Sequence, residues 1–247
     1  MADAGRPLVV EGHLSVEAVL QAGVRPIERI WAVRPGDRRF GRLRALARER
    51  DVLIDAVDAD RIEELAAGRS HGGVIALVGE RRERSVGELL GEVGEGSLLV
   101  ALDGIEDPFN FGQAVRALYA AGVGGLVVRR SWESALATVT RASAGATELM
   151  PTAHAASIED AAEAARTAGQ RVICAVADAD ATELHDADLT GGLLIVIGGE
   201  RRGVTRSFVS RADALIRIAY GRARAPDLGA AAAAAIIGFE ALRQRRG

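Results

Sequence analysis

The spacing of apolar positions switches repeatedly along the first 78 residues. Short apolar runs at residues 8–10, 27–33, 52–57 and 74–78 read as strands, and stretches with helical spacing at 16–22, 42–50 and 60–67 read as helices between them. This alternation predicts a small α/β domain over residues 1–80. The pattern then breaks. Residues 81–96 mix charges with glycines and hold at most a short helix near 86–90, which predicts a solvated linker. From residue 97 strand-length apolar runs return at 98–102, 125–128, 171–176, 193–197 and 214–218, with helical patterns after Asn110, at about 157–168 and at 230–244. Strands alternating with helices predict a parallel sheet covered on both faces, whose ligands sit beyond the carboxyl ends of the strands. A second α/β domain is therefore expected over 97–247.

Composition excludes several classes. A chain of 247 residues, 49% of them hydrophobic, can bury a sizeable core. No run approaches 18 uninterrupted apolar residues and the amino-terminal segment lacks the order of a signal peptide, so a cytoplasmic protein without membrane contact is expected. The single cysteine, Cys174, falls in an apolar strand pattern and excludes an intrachain disulfide. Four scattered histidines offer no metal-ligand spacing with it, and no metal is expected. Net charge is −3, yet residues 201–247 carry ten arginines against three acids, so attraction to nucleic acid has to come from local patches. Every basic residue is arginine. The absence of lysine rules out Schiff-base chemistry and a lysine-bearing phosphate loop.

Three segments that follow expected strands carry the candidate chemistry. The first is residues 102–116, with Asp107-Pro108, Asn110, Gly112 and Arg116; Asn110 is the only asparagine in the chain. On local geometry alone, Asp-Pro starts a turn and Asn110 caps a helix running to about residue 121. The second is Gly198-Gly199-Glu200-Arg201-Arg202-Gly203, where glycines permit positive φ and close approach of a ligand to the backbone. The third runs from Ile216-Arg217-Ile218-Ala219-Tyr220 through Asp227-Leu228-Gly229 into an alanine-rich helix. Strands followed by glycine loops also suit a dinucleotide-dependent oxidoreductase. That class lacks support, because no Gly-x-Gly-x-x-Gly follows the first strand of either domain.

The order of these segments resembles the SpoU/TrmH family of RNA ribose 2′-O-methyltransferases, in the SPOUT superfamily. The family's first motif, Asp-Pro-x-Asn-x-Gly-x-x-x-Arg, is met by Asp107, Pro108, Asn110, Gly112 and Arg116, and its second, Gly-x-Glu-x-x-Gly, by Gly198, Glu200 and Gly203. Upstream, Val10-Glu11-Gly12-His13 and His71-Gly72-Gly73-Val74 look like the family's amino-terminal RNA-binding domain, and Arg141-Ala142-Ser143-Ala144-Gly145-Ala146 resembles a further family segment with Ser143 and Gly145 in structural roles. The third motif departs from the pattern. Where the family has Ile-Pro-Met and later Ser-Leu-Asn-Val-Ser, this chain has Ile218-Ala219-Tyr220 and Asp227-Leu228-Gly229-Ala230-Ala231, in a loop about two residues longer.

The resemblance implies a parallel-sheet SPOUT domain with a carboxy-terminal trefoil knot, preceded by a ribosomal-protein-like α/β domain, and an obligate homodimer whose two subunits both furnish the site. It implies S-adenosylmethionine as cofactor, held mainly by backbone at Gly198, Ile218 and Leu228, and transfer of its methyl group to a ribose hydroxyl of rRNA or tRNA. Arg116 matches the family's catalytic arginine, and Asn110 and Glu200 shape the pocket. Arg201, Arg202, Arg222 and Arg224 are candidate RNA contacts. A non-catalytic RNA-binding paralogue of the same fold is the alternative that the altered third motif raises.

Overall fold

The computed structural model describes residues 8–68, 70–199, 203–222 and 227–247. These fall into two compact units, one of residues up to Arg82 together with Trp132–Leu149, the other of Glu83–Ser131 with Met150–Gly247.

The first unit begins with β1 (Leu8–Glu11), α1 (His13–Ala22), β2 (Ile27–Ala32), α2 (Gly41–Glu49), β3 (Ile54–Ala56), α3 (Ala59–Glu63) and β4 (Val74–Val78). Its sheet has the order β1-β4-β2-β3, with β4 antiparallel to both neighbours and β2 parallel to β3. Because β4 is covered on both faces, it reads as a continuous apolar run rather than an alternating one. Val74, Ala76 and Val78 face a core shared with Val16, Leu20, Phe40 and Leu43 of the α1 and α2 side, while Ile75 and Leu77 face Ile62 of α3.

The second unit opens with α4 (Val86–Val93). Ser85 and Glu88 cap it reciprocally: the Ser85 hydroxyl accepts the Glu88 N–H at 3.2 Å and the Glu88 carboxylate accepts the Ser85 N–H at 2.7 Å. This corrects the expected linker over 81–96. Gly87, Glu88, Gly91 and Glu92 occupy the solvent side of a helix whose Val86, Leu89 and Leu90 join the core of the second unit. Then follow β5 (Leu98–Asp103), α5 (Pro108–Ala120) and β6 (Gly125–Val128).

The chain next returns to the first unit through α6 (Leu136–Ala142) and α7 (Ala146–Leu149). The expected domain over 97–247 therefore contains an excursion. Leu136 enters the first unit's core, and Gly145, at φ +86°, packs so closely on α1 that a Cβ there would lie 2.9 Å from the Leu14 carbonyl oxygen. Buried Ser143 is bonded to the Thr140 carbonyl at 3.1 Å and to the Thr147 hydroxyl at 3.0 Å. Arg25 holds Glu148 at 2.8 Å and Glu133 at 2.9 Å, and Arg141 reaches fully buried Glu11 at 2.6 Å. Burial by itself depresses the Arg25 pKa, but its bonds to Glu148 and Glu133 outweigh that and leave it above the ordinary value.

Back in the second unit come β7 (Thr152–His154), α8 (Ile158–Thr167), β8 (Arg171–Ala175), β9 (Thr182–Glu183), β10 (Leu193–Gly198), α9 (Arg206–Val209), β11 (Ala214–Arg217) and α10 (Ala230–Arg246). The seven strands lie in the order β7-β6-β5-β10-β8-β11-β9, and every pairing between them is parallel. Central β5 is apolar up to its final Asp103, and β10 carries only apolar residues and a terminal glycine. α4 and α8 cover one face of the sheet, and α5 and α10 pack together on the other, where Gly238 lets α10 approach so that a Cβ would meet that of Ala121 at 3.1 Å.

Candidate active site

In an all-parallel sheet the carboxyl ends of the strands share one edge, and the three motif segments leave from that edge. After β5, Asp107 rather than Asn110 caps α5: its carboxylate accepts the Asn110 backbone N–H at 2.7 Å, and Pro108 occupies the first turn, where no N–H is needed. The expectation that Asn110 is the cap is thereby corrected. Its side chain lies half-buried in the first turn of α5.

After β10 the backbone leaves no room for side chains. A Cβ on Gly199 would fall 2.0 Å from the Gly104 carbonyl oxygen, and one on Gly198 would fall 2.7 Å from the Gly203 carbonyl carbon. Gly203 itself sits at φ +58°, and the Gly199 N–H bonds to the Asp103 carbonyl at 2.6 Å. The glycines of the second motif therefore fasten the β10 loop to the end of β5. Glu200, Arg201, Arg202 and Arg224 lie outside the described residues.

Beyond β8, β10 and β11 lies a cavity of about 590 Å³, within the range that takes a small-molecule cofactor. Gly198, Ile218 and Leu228 all line it. Val176, Ile197, Ile216 and Ile237 give it an apolar wall, and Asp178, Arg217, Arg222 and Asp227 bring charge to it. Tyr220 also lines it, and its hydroxyl accepts the Leu228 N–H at 3.1 Å, closing the enlarged third-motif loop on itself. Glu183 is ion-paired with Arg217, and with His185 and Asp186 it forms a group whose ligand atoms lie within 4.8 Å of one another. His185 and Asp186 are exposed, and a guanidinium already holds Glu183.

Arg116 is exposed on α5, makes no side-chain hydrogen bond or ion pair among the described residues, and does not line the cavity; nor does Asn110. Around Arg116 and along α10 the surface carries large apolar side chains, with Phe109, Tyr119, Ile236 and Phe239 all 40% exposed or more. These four stand on two helices that pack together, so the pair offers apolar surface to solvent.

Sequence reasoning missed the Asp103–Arg129 pair at the same edge, 2.8 Å apart, with the Asp103 side chain nearly buried. Asp103 was visible as an acid ending a buried strand. Arg129 had no signal, because its partner is 26 residues away.

Known proteins match along the whole of this geometry. The profile described as "SpoU rRNA Methylase family" covers residues 97–239, and the one described as "RNA 2'-O ribose methyltransferase substrate binding" covers residues 9–84. The 23S rRNA (guanosine-2'-O-)-methyltransferase RlmB of Burkholderia is 33% identical over 242 residues, 96% of each chain. Among solved structures, the AdoMet-bound rRNA methyltransferase from Sinorhizobium meliloti superposes with a TM-score of 0.79 at 26% identity, covering 96% of this chain and 87% of that one. The SpoU methyltransferase AviRb from Streptomyces viridochromogenes, in complex with AdoMet, gives a TM-score of 0.77 at 25% identity, covering 97% of this chain and 90% of that one. With the family profile spanning more than half of its residues and a relative matched nearly end to end, the chain belongs to the SpoU rRNA methylase family.

Proposed function

We propose that this protein methylates a ribose 2′-hydroxyl in structured RNA, with S-adenosylmethionine as donor and large-subunit ribosomal RNA as the favoured substrate. One observation carries the assignment: residues far apart in sequence, Gly198, Ile218 and Leu228, meet in a single cavity of cofactor size at the carboxyl edge of the sheet. Its apolar walls suit an adenine ring, and the close-packed glycine backbone beside it suits recognition by main-chain groups, which tolerates the altered side chains of the third motif. When bound, the cofactor supplies an electrophilic methyl on a sulfonium. Transfer of that methyl to the ribose oxygen would leave the cofactor as a neutral thioether and release the hydroxyl proton to solvent.

A ribose hydroxyl is a poor nucleophile, so the protein has to orient it and ease loss of its proton. We assign that work to Arg116, with Asn110 and Glu200 shaping the surroundings. A guanidinium is a poor base, so Arg116 acts chiefly by holding the adjacent phosphate and the hydroxyl oxygen. Because Arg116 stands on an exposed face away from its own chain's cavity, we assign it to the cavity of a second copy in a homodimer joined through α5 and α10. Arg222, exposed at the cavity rim, together with Arg201, Arg202 and Arg224, would receive the RNA. The carboxy-terminal knot belongs to this reading too. The strand order, with β10 between β5 and β8, is compatible with it. A cytoplasmic location fits; no described helix is long and apolar enough to cross a membrane.

Calorimetry with S-adenosylmethionine and transfer of a tritiated methyl group to RNA from cells lacking the gene test the assignment together. Micromolar cofactor binding, about −8 kcal/mol, and label at ribose are expected. Binding without any transfer would instead favour the non-catalytic paralogue. Arg116→Ala should lower transfer by at least about a hundredfold while leaving cofactor affinity nearly unchanged.

A further inference from the structure

Charge along residues 34–64 is sorted by segment. Residues 34–50 hold seven arginines and two acids, whereas residues 51–64 hold six acids and one arginine. The sheet separates α2 from α3, where Asp60 and Glu63 lie and Glu64 follows, while Asp51 and Asp55 lie before and within edge strand β3. Phe40, Leu43 and Ala47 anchor the basic segment on one face, and Ile62 anchors α3, which ends the acidic segment, on the other. A solvated surface gains nothing from such sorting, and like charges held together repel one another.

The basic segment is also fixed in shape. Arg44 is half-buried and donates to the Pro35 carbonyl at 2.6 Å and the Asp37 carbonyl at 2.8 Å, tying α2 to the turn before it. Arg39 lies over the Phe40 ring, 4.5 Å from its centroid, and its guanidinium is 3.4 Å from where a Cβ on Gly73 would stand. Against this frame Arg34, Arg38 and Arg48 are exposed and make no side-chain hydrogen bond or ion pair among the described residues. Three guanidiniums are thus left with full donor capacity on a held scaffold. That is the chemistry of a phosphate-contacting surface.

We propose that Arg34, Arg38 and Arg48 form an RNA-phosphate docking site on the α2 face of the first unit, with the acidic α3 face turned away from the nucleic acid. This rests on the RNA reading above and adds to it the residues and the face by which residues 9–84 engage substrate. Contacts of this kind position RNA without reading its sequence.

The test uses the full chain and protein-free ribosomal RNA from cells lacking the gene, with affinity measured as a function of salt. Replacing all three (Arg34→Ala, Arg38→Ala, Arg48→Ala) should weaken binding at least about tenfold at 0.1 M salt and make the slope of log K against log salt less negative by about two to three, the number expected for three lost phosphate contacts. Calorimetric binding of S-adenosylmethionine should stay at the wild-type value. The matching lysine variant should recover most of both affinity and slope, because a phosphate accepts either cation. Glu63→Gln with Glu64→Gln, on the opposite face, should leave the slope unchanged. An alanine variant with wild-type affinity and slope overturns the proposal, and so does a lysine variant as weak as the alanine one. Wild-type protein that binds RNA through these residues but neither binds the cofactor nor transfers methyl would overturn the enzymatic assignment and leave the docking site standing.

Discussion

Cys174 shows how position sets the chemistry of a single side chain. It is fully buried in β8, and burial, assisted by the nearby Asp103 charge, pushes its thiol up to about 12. A thiol held protonated is a poor nucleophile. Native protein at pH 8 should therefore resist iodoacetamide, and the unfolded chain should take up one label, as mass spectrometry can count. The sign of the linked effect is fixed too. Because the native state keeps a proton that the unfolded thiol releases above about 9, stability present at neutral pH declines as pH rises from there toward 12. Asn110 teaches the opposite lesson about residue-level reading. Its rarity and its place after Asp-Pro were both visible, yet the capping role belongs to Asp107, three residues earlier. Both residues suit an N-cap, and only the start of the helix decides between them.

At the scale of elements, the long apolar runs were legible because burial on both faces leaves them no alternative, and β4, β5 and β10 all stand where the pattern put them. β7 and β9 were not legible: three and two residues are too few to show a period. The 81–96 segment misled because a short helix with one apolar stripe looks, in composition, like a charged glycine-rich linker. The candidate site was half legible. Its glycines and the positions matching the family motifs could be read, but the closure of the third-motif loop by Tyr220 on Leu228 spans eight residues of altered sequence. That bond stands where the family's asparagine and serine are missing, and Gly229 at φ −61° and ψ 152° enters α10 without needing glycine's freedom. Tyr220→Phe removes the bond while keeping the ring. A net hydrogen bond of about 0.5–1.5 kcal/mol predicts cofactor affinity lower by up to about tenfold, read by calorimetry, with the fold's melting temperature little changed.

At the scale of the whole molecule, assembly and connectivity become the questions. If α5 and α10 meet a second copy, charge at the centre of that surface must break it: Phe239→Asp should convert a dimer to a monomer in sedimentation and abolish methyl transfer while leaving the secondary structure intact. The excursion of residues 132–149 sets a different requirement. The first unit looks in sequence like an independent domain ending near residue 80, yet its core includes Leu136, its buried Glu11 carboxylate is paired with Arg141, and its buried Arg25 faces Glu133 and Glu148. A fragment ending at Arg82 therefore loses apolar cover and leaves both Glu11 and Arg25 without their charge partners. Breaking a buried pair by removing one member costs about 3–5 kcal/mol, a large share of the stability of a small domain. Residues 1–82 alone should be loosely folded, with broad urea unfolding and rapid amide exchange in β1 and β4. The same residues joined by a flexible linker to 132–149 should unfold cooperatively. Equal stability of the two fragments would show that the excursion is an ornament on a self-sufficient domain, whereas the buried ion pairs make it part of that domain's core.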